Sequence, residues 1–326
     1  MLHQKPPEIC PVCKEKADFK FVQDYKNEWG EWSLYECPKC QVQFWMPFES
    51  PNAGQYEEDV DYTSKLGIMT KENCWLIVRD YWTMNQFLKY LPHRNSKDKK
   101  LLDLGCGTGE FLVVAQDLGY QVYGVDFNEN AVNFVKDKLE IENIYKEDVI
   151  NFLEDKKEEY DVITAFEIIE HLGNPKKLLE LVYQSLKPGG YFAISIPNRE
   201  RYFSRINPEI EKWDFPYQHL TRWNLKSLSL FIINHSFEVI MVKKEIPINW
   251  FISRLRALIE FLFKRENKKN KEVSIGPVEK VRSNIGLKSY KSIKSFIKLI
   301  TYPLALFLFY GLKFEGGELY LLAKKK

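Results

Sequence analysis

The chain has 326 residues, 45% of them apolar, and a formal net charge of +2. That length holds one large domain or a domain with additions, and no window reaches the roughly 18 consecutive apolar residues of a bilayer-spanning helix. The small net charge conceals an asymmetry, because residues 241–326 carry nineteen Lys/Arg against seven Asp/Glu, or +12, leaving −10 on the first 240. A basic end on an acidic body suggests an anionic partner for that end, a membrane surface or nucleic acid. Residues 1–8 are polar and include two prolines. No secretory leader is therefore expected, and the expected location is cytoplasmic, with a peripheral position on the inner face of the membrane as a variant.

The first element is read from cysteines. Cys10-Pro11-Val12-Cys13 and Cys37-Pro38-Lys39-Cys40 are two C-x-x-C pairs separated by 23 residues. Each pair can present two thiolates to one ion, and two pairs complete a tetrahedral site. A structural zinc held by Cys10, Cys13, Cys37 and Cys40 is expected, in a small ribbon over 1–48 with strand-like segments at 19–22 and 32–35. A disulfide or redox role is disfavoured by a reducing compartment and by the lack of a helix opening at either pair. Residues 49–98 read as a linker followed by helices, with Trp75, Ile77, Val78, Tyr81, Trp82, Phe87 and Leu88 at helical spacing.

Strands and helices alternate over 99–245, as a doubly wound parallel sheet requires. The first strand runs into Asp103-Leu104-Gly105-Cys106-Gly107-Thr108-Gly109, and a helical pattern follows from Glu110. The spacing is G-x-G-x-G, neither the G-x-G-x-x-G of a dinucleotide fold nor a P-loop. About twenty residues on, Tyr120–Asp126 reads as a second strand ending in an acid placed to accept ribose hydroxyls. Asn143–Asp148 reads as a third strand, Tyr160–Glu167 as a fourth and Tyr191–Ile196 as a fifth, the last preceded by Leu186-Lys187-Pro188-Gly189-Gly190 closing a helix. A helix at 225–233, a sixth strand at 237–242 and a seventh at 317–323 complete the pattern.

These motifs in this order resemble the class I S-adenosylmethionine-dependent methyltransferases. The resemblance implies an α/β, doubly wound seven-stranded sheet with the ribbon added at its start and a helical insertion before the last strand. It implies that Asp103, Gly105, Gly107 and Gly109 receive the amino-acid end of S-adenosylmethionine. It further implies that Asp126 meets the ribose and Asp148 the adenine amino group, with Phe127, Val149 and Phe166 alongside. It also implies an N-terminal helix closing over the cofactor, to which Tyr56 or Tyr62 would contribute.

The chemistry is expected at Glu167, Glu170 and His171 after the fourth strand and at His219 in the long loop 197–223. Three readings stay open. His219 or His171 acts as general base; Glu167, Glu170, His171 and His219 hold a divalent ion such as Mg; or the segment only orders its loop. The E-x-x-E-H run resembles that of ubiquinone-pathway O-methyltransferases and, with the distant His, the metal site of small-RNA 2′-O-methyltransferases. The insertion, 246–314, contains apolar blocks at 248–263 and 299–312 flanked by lysines, suited either to lying on an anionic membrane or to roofing the substrate pocket. Residues 315–326 are the last core strand and tail. The leading expectation is an O-methyltransferase acting on a sugar, glycolipid or lipid-linked acceptor. The alternatives are an RNA methyltransferase, a nucleotide-sugar C-methyltransferase and a non-catalytic zinc-ribbon scaffold.

Overall fold

The computed structural model describes residues 4–49, 69–91, 96–201, 214–245 and 315–326. The chain divides into two compact units, Met1–Lys244 with Gly317–Lys326, and Glu245–Gly316. Tyr56, Tyr62 and both apolar blocks of the insertion lie outside the described residues, as do residues 202–213 of the long loop.

The N-terminal strands are β1 (Lys20–Asn27), β2 (Gly30–Glu36) and β3 (Gln43–Met46), an antiparallel meander. Their order in the sheet is β1-β2-β3-β9, because a two-residue strand from far along the chain, β9 (Thr221–Arg222), pairs with β3. Leu34, Trp45 and Phe215 are buried together there, so the ribbon packs on the segment that follows the core's fifth strand.

Helices α1 (Lys71–Asp80) and α2 (Trp82–Tyr90) follow. The helical spacing seen in the sequence is interrupted at Tyr81, whose extended backbone separates the two. Then come β4 (Lys100–Leu104), α3 (Glu110–Asp117), β5 (Gln121–Asp126), α4 (Glu129–Leu139), β6 (Ile144–Lys146), α5 (Val149–Leu153) and β7 (Tyr160–Phe166). The chain continues with α6 (Pro175–Ser185), β8 (Leu186–Pro197), α7 (Leu225–Ile233), β10 (Phe237–Lys244) and β11 (Glu318–Lys325).

The seven-stranded sheet has the order β6-β5-β4-β7-β8-β11-β10. Strands β6 to β8 pair in parallel, and β11 lies antiparallel between β8 and β10. Leu101, Leu102, Leu104, Ile163, Ala165, Phe192 and Ile194 are fully buried, as expected for strands covered on both faces. The strand order reverses at β4, whose neighbours are β5 and β7, and the carboxyl ends around such a switch point are where ligands bind in open α/β sheets.

One element starts elsewhere than the sequence suggests. Leu186–Gly190 does not close α6, which ends at Ser185, but opens β8. Leu186 already pairs with Tyr160, and a register shift before the Val162–Tyr191 pair accommodates the turn residues.

Candidate active site and metal cluster

Three side-by-side strands deliver the glycine loop and its acids. Asp103 sits in β4 opposite Gly124 and Thr164, and Thr164 Oγ1 donates to Asp103 Oδ1 at 2.5 Å. Burial, with the nearby carboxylates of Glu110 and Asp126, pushes Asp103 up to about 8 despite that hydrogen bond. Gly105, Gly107 and Gly109 all have left-handed backbones, at φ 67, 51 and 76. A Cβ at Gly105 would lie 2.0 Å from Ile168 Cδ1, and one at Gly109 would lie 2.7 Å from Val135 Cγ2. Glycine is therefore favoured by the backbone at both places, and at Gly109 also by the space that Val135 and Leu139 leave. Asp126 at the end of β5 accepts from Gly107 N–H and Asn128 N–H, each at 2.9 Å, and burial raises it.

The flanking positions divide. Asp148 caps α5, its Oδ1 accepting from Ile150 and Asn151 N–H at 2.8 and 3.2 Å. Val149 is buried, whereas Phe127 is 39% exposed. Phe166 is a packing residue, its ring 5.1 Å from Phe111 and 6.4 Å from Phe87. A tight left-handed glycine turn flanked by buried acids fits S-adenosylmethionine, whose sulfonium and ammonium are positive and whose ribose hydroxyls donate hydrogen bonds.

Past β7 the chain turns sharply at Glu167, φ 56, into a short 3-10 turn, Ile169–His171. Glu167 Oε1 accepts from Ser195 Oγ at 2.9 Å. Glu170 is 1% exposed, and neither carboxylate oxygen has a hydrogen-bond partner among the described residues. Burial pushes both acids up, reinforced at Glu170 by the Glu167 carboxylate. His171 Nδ1 lies 2.7 Å from the carbonyl of Gln218 and must donate to it, while burial and neighbouring His219 lower its pKa. The His171 and His219 rings meet edge to face at 4.6 Å. His219 Nδ1 lies 3.0 Å from Asp214 Oδ1. Burial opposes charge on Asp214, but Arg222, the His219 hydrogen bond and Arg201 hold it well below the usual carboxylate range.

Thus Glu170, His171 and His219 are brought together, each offering a ligand atom within 4.8 Å of the others. Glu167 stands beside them but is not part of that triplet. Asp214, Arg201, Arg222, Gln218 and Ser195 escape the sequence reading. Asp214 had a signal, an acid five residues before His219 in one loop; the two arginines gain meaning only from the fold.

The cysteine cluster is built from two equivalent turns. Lys14 N–H donates to Cys10 O at 3.0 Å and Gln41 N–H to Cys37 O at 2.8 Å, and both Lys14 and Gln41 have φ 62. The sulfurs of Cys10 and Cys40, and of Cys13 and Cys37, lie 3.8 Å apart. That is far beyond a disulfide bond and equals the edge, about 3.8 Å, of a tetrahedron with 2.3 Å zinc–sulfur bonds. Hydrogen-bonded neighbours Cys10 and Cys13, together with burial, push the Cys40 thiol far up, and a cation among the sulfurs would favour its thiolate form.

A family model described as "Methyltransferase domain" matches residues 78–241, half of the chain. The chain belongs to this methyltransferase family. The match, the strand order and the glycine loop make it a class I S-adenosylmethionine-dependent methyltransferase. This methyltransferase is 31% identical over 116 residues to a ubiquinone biosynthesis O-methyltransferase of Coxiella burnetii, covering 34% of the chain and 50% of the relative. It is 32% identical over 118 residues to the enzyme of that description from Paraburkholderia phymatum, with the same two coverages. The chain spans about half the length of the curated relatives it matches. Among solved structures, an S-adenosylmethionine-dependent methyltransferase from Archaeoglobus fulgidus aligns with TM-score 0.49 and 21% identity, covering 82% of this chain and all of that one.

Proposed function

We propose that this methyltransferase methylates a hydroxyl oxygen on a sugar, glycolipid or lipid-linked acceptor, with His219 as general base. The observation that carries the reading is the Asp214–His219 pair beside His171, close to the turn that leaves β7. The O-methyltransferase relatives support oxygen as the atom methylated. When bound, S-adenosylmethionine supplies an electrophilic methyl group on a sulfonium leaving group.

The chain's own residues then have distinct tasks. Gly105, Gly107 and Gly109 allow the left-handed turn that would receive the amino-acid end, with Asp103 beside it, and Asp126 retains lone pairs for ribose hydroxyls. Asp214 Oδ1, which can only accept, fixes the proton of neutral His219 on Nδ1, so the lone pair resides on Nε2. His219 Nε2 would take the proton of the acceptor hydroxyl as its oxygen is methylated.

A second reading is favoured by one observation, the buried carboxylate of Glu170 with no hydrogen-bond partner among the described residues. Glu170, His171 and His219, with Glu167 adjacent, would hold a divalent ion that lowers the pKa of the acceptor hydroxyl. Both histidines have Nδ1 engaged by an oxygen acceptor, the outer-shell arrangement usual for metal-ligating imidazoles.

The test is transfer of labelled methyl groups to a nucleoside-diphosphate sugar, a glycolipid and a polyprenylated phenol. For whichever acceptor is methylated, His219→Ala should lower turnover at least hundredfold, the usual share of a general base, with cofactor affinity unchanged. Turnover in the variant equal to wild type defeats both readings. Loss of wild-type turnover on removing divalent ions, restored by adding them back, selects the second.

A further inference from the structure

The ribbon is fastened to the loop that carries His219, and the fastening runs toward the imidazole. Gln43 and Phe44 of β3 pair with Arg222 and Thr221 of β9, and Trp45 N–H donates to the carbonyl of Leu220 at 3.0 Å. Phe215 is sealed against the ribbon, its ring 4.7 Å from Tyr25 and 5.5 Å from Trp45. From the second cysteine turn, the Gln41 carbonyl accepts from Arg199 Nη1 at 2.7 Å, and Arg199 Nη2 meets Glu36 at 3.2 Å. Arg199 N–H in turn donates to the Trp223 carbonyl at 2.8 Å.

Arg222 links this frame to the histidine. Its Nη1 reaches Gln43 Oε1 at 3.5 Å, while Nε donates to Asp214 Oδ2 at 2.9 Å and Nη2 lies in ion-pair contact with the same oxygen at 2.9 Å. Arg201 Nη2 adds a third contact to the same oxygen at 2.9 Å. With Oδ2 taken, Oδ1 is left for His219 Nδ1. Asp214 is 2% exposed and held by two guanidinium groups, and its carboxylate oxygen, which accepts and does not donate, fixes the imidazole proton on Nδ1.

We infer that the ribbon is a positioning element for His219, with Gln43, Arg222 and Asp214 as positioning residues that set the tautomer and direction of its ring. The inference rests on His219 being the acceptor-side group of the proposed reaction, as base or as ligand. It gives the ribbon a task inside this chain, where an added ribbon alone would suggest a detached docking module.

Nitrogen-15 spectra of the full-length protein labelled at histidine report each imidazole's tautomer without any acceptor. Binding of S-adenosylhomocysteine serves as the check on folding. Wild-type His219 should show the Nδ1–H form. Asp214→Asn, whose amide can donate to Nδ1, should move it to the Nε2–H form while leaving S-adenosylhomocysteine affinity within twofold. Arg222→Gln should at least double the His219 linewidth through tautomer exchange, and Arg222→Lys, which keeps the cation, should restore much of the wild-type signal. Gln43→Ala, a half-buried change on the ribbon side only, should broaden the His219 signal in the same sense and no other histidine outside the site. An unchanged His219 spectrum in both Asp214→Asn and Gln43→Ala overturns the inference, and an unchanged spectrum in Gln43→Ala alone overturns the ribbon's part. These readouts are independent of turnover, so an active His219→Ala enzyme would end the functional reading while the spectra still judged the positioning.

Discussion

At the scale of single residues, the acids beside the glycine loop hold opposite demands in balance. Asp103 is 3% exposed and receives one hydrogen bond from Thr164, too little to compensate a full charge. Its carboxyl is raised from 3.8 to about 8, so the folded, cofactor-free chain holds a proton there that the unfolded chain releases well below neutrality. Stability rises with pH only where the unfolded state binds more protons. Here the folded state binds more, so this contribution is fully present below about pH 4 and is lost as pH rises toward 8. Denaturant midpoints of the cofactor-free protein should therefore fall between pH 5.5 and 8, more steeply than those of Asp103→Asn, which keeps the Thr164 contact and has no proton to lose. Equal slopes for the two proteins would refute the burial argument. An ammonium group docking beside Asp103 favours its charged form, so cofactor binding near pH 7 should release protons, seen as a dependence of binding heat on the buffer's ionisation enthalpy.

At the scale of elements, what could be read ahead of the structure follows from how each element is stabilised. Strands β4, β5, β7 and β8 are buried on both faces and so appear as apolar runs, and the glycines and acids at their ends mark where the chain turns. The cysteine pairs are equally legible, because ligand spacing is local. Strand β9 was not, since Thr221–Arg222 becomes a strand only by pairing with Gln43 and Phe44, some 179 residues away. Tyr81 was missed because the apolar spacing continues across it while the backbone leaves the helix. Asp148 shows a residue whose two tasks overlap: the resemblance assigns it to adenine, and the structure gives it the cap of α5. The two can be separated. Asp148→Ala should lower stability by about 1 kcal/mol, the usual worth of an N-cap side chain, and weaken cofactor binding as well. Asp148→Ser keeps a capping oxygen on a shorter stem, so stability should return while affinity does not. Recovery of both by serine would mean that the acid acts on the cofactor only through the helix it caps.

At the scale of the whole molecule, charge is distributed in a way that the catalytic core does not require. The excess of +12 over residues 241–326 opposes −10 over the rest, and much of it surrounds the apolar blocks at 248–263 and 299–312, which lie outside the described residues. No helix among the described residues is long and apolar enough to cross a membrane. The second apolar block has fourteen uncharged residues, roughly 21 Å if helical at about 1.5 Å per residue, short of a hydrocarbon core of about 30 Å. An apolar sequence flanked by lysines gains from lipid on two counts, apolar burial and about 1 kcal/mol for each Lys or Arg near an anionic surface. We therefore expect the protein to float with vesicles containing phosphatidylserine or phosphatidylglycerol and to bind neutral phosphatidylcholine vesicles far less. Binding should weaken between 0.05 and 0.5 M salt, as a screened interaction must, and a variant lacking 246–312 should stay in the dense fraction while still binding S-adenosylhomocysteine. Flotation by the shortened variant would move the lipid contact to the remaining chain. Its absence in both proteins would leave the lysines without a membrane role and point the acceptor search toward soluble sugars.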